Sequence, residues 1–318
     1  MVLADDSQTR LMARIARMYH EHGMKQAQIA SELHVSQPRV SRLLKRAADE
    51  GIVRTVVTLP PGAFTSLEEE IEKRHHVEEC VVVDAGVDEV AVQTALATAA
   101  ATYLETTLTG GEVIGLSSWS ATWLAAVERL QPFRTQVATT VVQLFGGIGN
   151  PTVQVKATRL IDLLARATGA SPVFFPSPAV LGTESAAVEL RNDPSVARVA
   201  GLLPDVTTAL VGIGSLEPSE LLRESGNISS EADREELRRA GAVGDVCLRF
   251  FDADGEHVDS GFDRRVVGAD ASELHAIPRT VAAAGGARKH AAIRAALRGG
   301  WLTVLITDVT TARALLAD

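Results

Sequence analysis

From residue 79 to the end of the chain, apolar runs of strand length alternate with Ala-rich segments of helix length. The strand candidates are residues 81–84, 113–116, 139–144, 208–213, 246–251 and 302–307. Helices fit between and after them at 92–108, 121–130, 153–168, 231–240, 289–297 and 310–316. The apolar strands are almost unbroken, so both of their faces must be covered. Strand, helix, strand repeated in that way folds into a parallel sheet with helices on either side, a Rossmann-like α/β body.

In open parallel sheets ligands bind beyond the carboxyl ends of the strands. Four of those ends carry glycine or hydroxyl residues: Gly-Leu-Ser-Ser-Trp-Ser at 115–120, Phe-Gly-Gly-Ile-Gly-Asn at 145–150, Gly-Ile-Gly-Ser at 212–215, and Gly285-Gly286 ahead of a helix. A parallel sheet brings them to one crevice. Arg288, Lys289 and His290 fall in the first turn of the helix that follows, where the macrodipole disfavours cations. A phosphate or carboxylate would relieve that crowding, and paired glycines let backbone amides approach it. The bland alternative is a solvated cationic turn. Ser117, Ser118 and Ser120 likewise read as ordinary turn residues when taken alone, Trp119 and Trp123 as core aromatics, and Asp308 as a helix cap.

The front of the chain has a different grammar. Residues 23–46 spell two short helices joined by a tight turn. Ile29, Ala30 and Leu33 make an apolar stripe on the first, and Val35 plugs the turn. Ser36 is suited to cap the second helix with its side-chain oxygen, and Pro38 is tolerated in a first turn. At about 100° per residue, Val40, Leu43, Leu44 and Ala47 share one side, while Pro38, Arg39, Arg42, Lys45 and Arg46 share the other. That is the layout of a helix that enters the major groove of double-stranded DNA. A solvated amphipathic surface helix is the plain alternative, but it leaves the preceding helix and the gathering of Ser36, Gln37, Arg39, Ser41 and Arg42 at one end unexplained. Gln37 suits adenine, and Arg39 or Arg42 suits guanine. Lys45 and Arg46 suit the phosphate backbone. Residues 52–59 read as a short β-rich wing.

Charge divides along the same line. Residues 1–60 hold nine Lys and Arg against six Asp and Glu, a net of +3, which leaves 22 against 34, or −12, for the rest of the 318 residues. A basic head on an acidic body argues for a DNA module attached to something with another partner. The expected division is a helix-turn-helix domain at 1–59, a linker with an oligomerisation helix at 60–78, and an effector domain at 79–318. Pro60-Pro61-Gly62 marks the boundary, with Ser66 and Glu69 as a capping box for a helix at 67–75 that joins a neighbouring subunit. No apolar run reaches membrane-span length and the first 14 residues lack a signal-peptide core, so a cytoplasmic protein is expected. Cys80 and Cys247 sit in hydrophobic runs and read as buried reduced thiols. The eight histidines show no ligand spacing, so neither a metal nor a cofactor is expected.

With these residues in view, the chain resembles the SorC family of bacterial sugar-responsive transcription regulators nearly end to end. The resemblance rests on Gly23, Gln26, Ile29-Ala30, Leu33, Val35-Ser36, Pro38 and Val40-Ser41-Arg42-Leu43-Leu44 in the head, followed by Glu50-Gly51-Ile52-Val53. In the body it rests on 115–120, Gln143-Leu144-Phe145-Gly146-Gly147, Gly212-Ile213-Gly214, Gly244-Asp245, Gly285-Gly286 with Lys289, and Leu305-Ile306-Thr307-Asp308. It implies a winged helix-turn-helix followed by a phosphosugar-isomerase-like (NagB/RpiA/CoA-transferase-like) domain that binds a sugar, polyol or sugar phosphate. It also implies a homo-oligomer, dimer or tetramer. By position, Ser117, Ser118, Ser120 and Lys289 correspond to effector contacts, and Gly146, Gly147 and Asp245 to residues that shape the pocket. Two departures stand out: Gln37 where many relatives have Arg, and Ser-Ser-Trp-Ser where others have a shorter Ser-Trp-Gly. The second narrows the site and leaves an unphosphorylated polyol open. A sugar-phosphate isomerase with a DNA-binding appendage is the alternative from another class, although no carboxylate and histidine are arranged by motif as an acid–base pair. A constitutive DNA binder with an oligomerising body is a third.

Overall fold

The computed structural model describes residues 3–53, 63–86, 88–227 and 230–317. The chain separates into two compact units, Met1–Pro61 and Gly62–Asp318.

The first unit holds α1 (Leu3–His20), α2 (Gln26–Glu32) and α3 (Gln37–Asp49). Its core is one cluster in which Met12, Ile15, Ala16 and Met18 of α1 meet Ile29 and Ala30 of α2 and Val40, Leu43 and Ala47 of α3. Sequence reasoning passed over α1, yet without it the α2 and α3 stripes would have nothing to close on. The α2–α3 turn is tight: Val35 N–H reaches Ala30 O at 3.0 Å, and His34 takes a left-handed φ of 54°. Ser36 does stand at the N-cap of α3 with extended backbone, but its hydroxyl makes no capping bond, contrary to expectation. The helix start rests instead on Pro38 in the first turn, whose ring fixes φ near the helical value. Most of the expected wing, residues 54–59, lies outside the described residues.

The second unit is built on β1 (Glu79–Val83), β2 (Glu112–Leu116), β3 (Ala138–Gln143), β4 (Ser171–Val173), β5 (Thr208–Val211), β6 (Ala242–Val246), β7 (Arg249–Asp252), β8 (Arg279–Ala283) and β9 (Val304–Asp308). Seven of these form one sheet in the order β1-β9-β8-β5-β2-β3-β4, with every pairing parallel. The physical reason for the unbroken apolar strands is visible in the register. Ala209, Val211, Ala282 and Leu305 enter one apolar cluster, while Leu210, Val281, Ala283, Val304 and Ile306 enter another. Successive side chains point to opposite faces, so each strand feeds two cores.

Helices α4 (Thr65–His75), α5 (Glu89–Thr107), α6 (Ala121–Val127), α7 (Pro151–Thr168), α8 (Glu184–Arg191), α9 (Pro194–Ala200), α10 (Glu220–Ser225), α11 (Glu231–Arg239), α12 (Ala271–Ala276), α13 (His290–Arg298) and α14 (Val309–Leu316) surround the sheet. Leu96 and Leu104 of α5 and Leu160, Ile161 and Leu164 of α7 belong to one core. Ile293 of α13 and Ala312 and Leu315 of α14 belong to the other.

Two expectations need correction. Residues 246–251 are not one strand of the sheet: β6 and β7 form a separate antiparallel pair. They turn through Cys247 and Leu248, whose φ values are 53° and 65°. The expected capping box at Ser66 and Glu69 is absent, and α4 starts from Phe64 with no side-chain cap. Helix α4 packs on β1 of its own unit. Ile71 is fully buried, and the carboxylates of Glu72 and Glu68 accept the Cys80 and Val82 amides of β1 at 2.8 and 2.9 Å. In the sheet β1 pairs with β9 alone, so these two glutamates cover amides that an open strand edge would leave bare.

Candidate functional site

On α3 every residue singled out for DNA is exposed: Ser36, Gln37, Pro38, Arg39, Ser41, Arg42, Lys45 and Arg46. Val40, Leu43 and Ala47 are buried on the opposite side. The cations are not equivalent. Arg46 donates from Nε to Glu50 at 3.0 Å, which spends much of its charge locally. Arg42 reaches back to Pro38 O at 3.4 Å. Among the described residues neither Arg39, Arg42 nor Lys45 has an ion-pair partner.

In the second unit the sheet order reverses at β2, because the chain runs from β2 out through β3 and β4 on one side and then returns through β5, β8 and β9 on the other, where β9 ends beside β1. Such a reversal opens a crevice beyond the carboxyl ends of the two diverging strands. The segment after β2 is tied to both neighbours: Ser117 N–H donates to Leu210 O at 3.0 Å and the Ser118 hydroxyl to Phe145 O at 3.1 Å. Ser117 and Ser118 are buried. Ser120 caps α6 by accepting the Trp123 amide at 3.2 Å, and it lies against Gly212 after β5. Trp123 is core, its indole donating to Val211 O at 2.7 Å. Trp119 is also buried, but its indole nitrogen has no partner.

The β6–β7 hairpin adds the acid. Gly214 and Asp245 exchange backbone hydrogen bonds at 2.9 and 3.3 Å, and a Cβ on Gly214 would lie 2.0 Å from the Asp245 carboxylate. That carboxylate accepts Leu248 N–H at 2.9 Å. Burial pushes Asp245 up to about 6, against the pull of the Leu248 amide and the Lys289 ammonium. The same burial lowers Lys289, against the pull of Asp245. Asp245 and Lys289 therefore share one poorly hydrated space. Cys247, beside them in the turn, hydrogen-bonds Ser117, and burial pushes its thiol up. Both cysteines are free and buried.

The structure thus gathers Ser117, Ser118, Ser120, Asp245 and Lys289. Gly146 and Gly147 have a more structural explanation: a Cβ would fall 2.2 Å from Pro178 O in the first and 2.3 Å from the Gln143 amide in the second. The cationic turn also differs from expectation. Residues Ala287–Lys289 form a 3-10 turn, and α13 begins at His290. Asp308 is more than a cap. It accepts Thr311 N–H at 2.9 Å and, across the fold, Gly286 N–H at 2.8 Å. Sequence reasoning missed this contact, and it missed Gln143 as a wall: its side chain accepts Phe175 N–H at 2.7 Å.

Two clefts lie elsewhere. One of about 630 Å³ is lined by Leu181, Asp233, Glu236 and Arg265, whose polar groups already pair with one another or with backbone. One of about 580 Å³ between β1 and α5 is lined mainly by Ala and Thr. Neither touches the strand-end cluster. Among the described residues no group of three or more His, Cys, Asp or Glu is placed to hold a metal, and no helix is long and apolar enough to cross a membrane.

A three-helix head with an exposed cationic α3 and a parallel-sheet body with a strand-end site define a helix-turn-helix transcription regulator with a sugar-binding-type domain. Comparison agrees on both parts. Residues 60–317 match the family described as "Putative sugar-binding domain", and residues 6–55 match the homeodomain-like helix-turn-helix family. The deoxyribonucleoside regulator of Bacillus subtilis is 32% identical over 99% of each chain. The transcriptional regulator LsrR of Klebsiella pneumoniae is 31% identical, covering 98% of this chain and 94% of its own. The full-length sorbitol operon regulator SorC of Klebsiella pneumoniae superposes with a TM-score of 0.73 at 26% identity, over 98% of this chain and 99% of its own. The chain belongs to the SorC family of transcriptional regulators.

Proposed function

We propose that α3 holds double-stranded operator DNA through Ser36, Gln37, Pro38, Arg39, Ser41, Arg42, Lys45 and Arg46. Occupancy of the strand-end site by a sugar, polyol or phosphorylated derivative then alters that grip. Ser117, Ser118, Ser120, Asp245 and Lys289 contact the effector, and Gly146 and Gly147 set the wall behind it. Residues 1–59 read DNA, 60–78 connect and serve association between copies, and 79–318 hold the effector. The protein works in the cytoplasm as a homo-oligomer, dimer or tetramer, and the site binds without turnover.

The observation that supports this reading best is the meeting of a buried serine loop, a buried carboxylate and a half-buried ammonium at the point where strand order reverses. Hydroxyl donors and acceptors on a small polar ligand match that set. The names of two relatives, the deoxyribonucleoside regulator and the sorbitol operon regulator, involve a nucleoside sugar and a polyol respectively. The test uses fluorescence anisotropy on duplexes from the source genome together with melting temperature in sugars, since a ligand specific for the folded state raises that temperature. Lys289→Ala should weaken effector binding at least tenfold and leave operator affinity without effector unchanged. Arg42→Ala should do the reverse. If each variant loses both activities, the assignment of roles is wrong. Labelled sugar phosphates followed by NMR should come back unchanged, and conversion would make the protein an enzyme.

A further inference from the structure

Helix α4 is the first described element after the reader, and polar bonds hold it to the body more than packing does. Ile71 is its one buried residue. On one side Glu68 and Glu72 accept the Val82 and Cys80 amides on the open edge of β1. On the other, its last turn meets the carboxyl end of α14, where the final carbonyls of a helix lack intrahelical donors and favour cations. Three side chains serve those carbonyls. Arg294 of α13 donates to Ala314 O at 2.8 Å, Arg74 of α4 donates to Leu316 O, and the His75 imidazole bonds the Leu315 carbonyl between them. The His75 Nε2 is buried without a hydrogen-bond partner. The charged groups that bear on the ring are Arg74 of its own helix and Arg294 and Arg298 of α13. From α14 it meets only the carbonyl, and the Glu68 and Glu72 carboxylates are engaged at β1.

We propose that α4 is a clasp with His75 as its proton-sensitive pin: protonation of the ring frees the helix from α14 and β1 and lengthens the covalent tether between reader and body by the 11 residues of α4. A neutral imidazole donates one proton to Leu315 O and brings no charge. The imidazolium carries two N–H groups for that one acceptor and adds a cation beside three guanidiniums. Burial first, and the guanidiniums after it, hold the ring below its ordinary 6.5 against the pull of the Leu315 carbonyl. A released His75 therefore takes up a proton as pH falls through 6.5 while the docked one does not, so docking is favoured above that value and weakens in acid. The response is local, because a helix with one buried anchor opens more readily than the sheet beneath it. Its release bares the two β1 amides that Glu68 and Glu72 cover.

The experiment is hydrogen exchange on the full-length protein at pH 7.5, 6.5 and 5.5, corrected for the intrinsic exchange rate. It is read on peptides that cover α4 with β1 and, for reference, on the inner strand β5. The window stays above the ordinary carboxylate range. Opening of α4 and of the Cys80 and Val82 amides should rise about three- to tenfold from pH 7.5 to 5.5, since one proton allows at most about tenfold per pH unit, while β5 stays level. Asp245 titrates in the same window but favours the folded state in acid, so it cannot imitate this result. His75→Gln keeps a donor for Leu315 O and cannot take the proton, and its opening should be the same at all three pH values. Circular dichroism checks its fold. Arg298→Gln, at an exposed position, removes one facing cation and should reduce the rise without abolishing it. No rise in the parent, a rise at β5 in step with α4, or an undiminished rise in His75→Gln overturns the proposal. Should His75→Gln fail to fold, an undiminished rise in Arg298→Gln does so.

Discussion

Asp245 is the residue at which stability and ligand recognition pull against each other. Its folded-state pKa of about 6 lies above the ordinary 3.8, so between those values the native state holds a proton that the unfolded chain has released. Stability from this group is therefore present in acid and is lost as pH rises toward and through 6. That rise in pKa corresponds to about 3 kcal/mol. Asp245→Asn keeps an oxygen for the Leu248 amide and removes the buried charge. The variant should melt higher than the parent at pH 7.5, converge with it near pH 4.5, and lose its melting-temperature response to effector. Denaturant titrations at the two pH values check the first pair of statements, and a thermal-shift screen checks the third. A variant less stable at pH 7.5 would mean that the ionised carboxylate is well solvated or paired.

Among the elements, the place of α3 and its two faces were legible because their message is local. Period, cap position and charge all lie within 13 residues. What the sequence concealed was the pairing of Arg46 with Glu50 four residues on, and this sets a signed expectation. Each phosphate neutralised adds about 0.9 to the slope of log affinity against log salt. Arg42→Ala should flatten that slope by about one unit. Glu50→Gln should steepen it by up to about one as Arg46 is released, at a stability cost under about 1 kcal/mol for an exposed pair. Anisotropy titrations across a salt series read both. The elements misread or passed over share a different property. At β6–β7 the two turn positions with positive φ hold Cys247 and Leu248 where glycine or asparagine would have announced a hairpin, so one apolar run concealed two strands. In β8, Arg-Thr-Val-Ala-Ala offers little β-branched bulk, and its burial comes from neighbours far along the chain. The glycine pair before α13 misled for a related reason: the carboxylate that takes the Gly286 amide, Asp308, lies 22 residues further on, beyond any periodicity.

For the whole molecule, what was readable was the two-part architecture and the convergence of strand ends. Alternating layers of core and one parallel sheet leave few ways to arrange them. The coupling between reader and effector site is a thermodynamic matter that follows from neither part alone. An effector that binds the DNA-competent and DNA-incompetent states equally shifts nothing, and a typical coupling is about 1 to 3 kcal/mol. Linkage makes it reciprocal: whatever factor the effector imposes on operator affinity, saturating operator must impose on the affinity for that effector. Calorimetric titration of the effector into free protein and into the protein–operator complex should therefore give dissociation constants whose ratio equals the ratio of operator affinities measured without and with effector. Arg42→Ala should leave effector binding to free protein intact and abolish the operator-dependent change. Equal effector affinities in the two titrations, alongside an operator affinity that does respond, would break the cycle. The response would then have to come from a second binding event, such as association of copies, and the same titrations repeated across protein concentration would expose it.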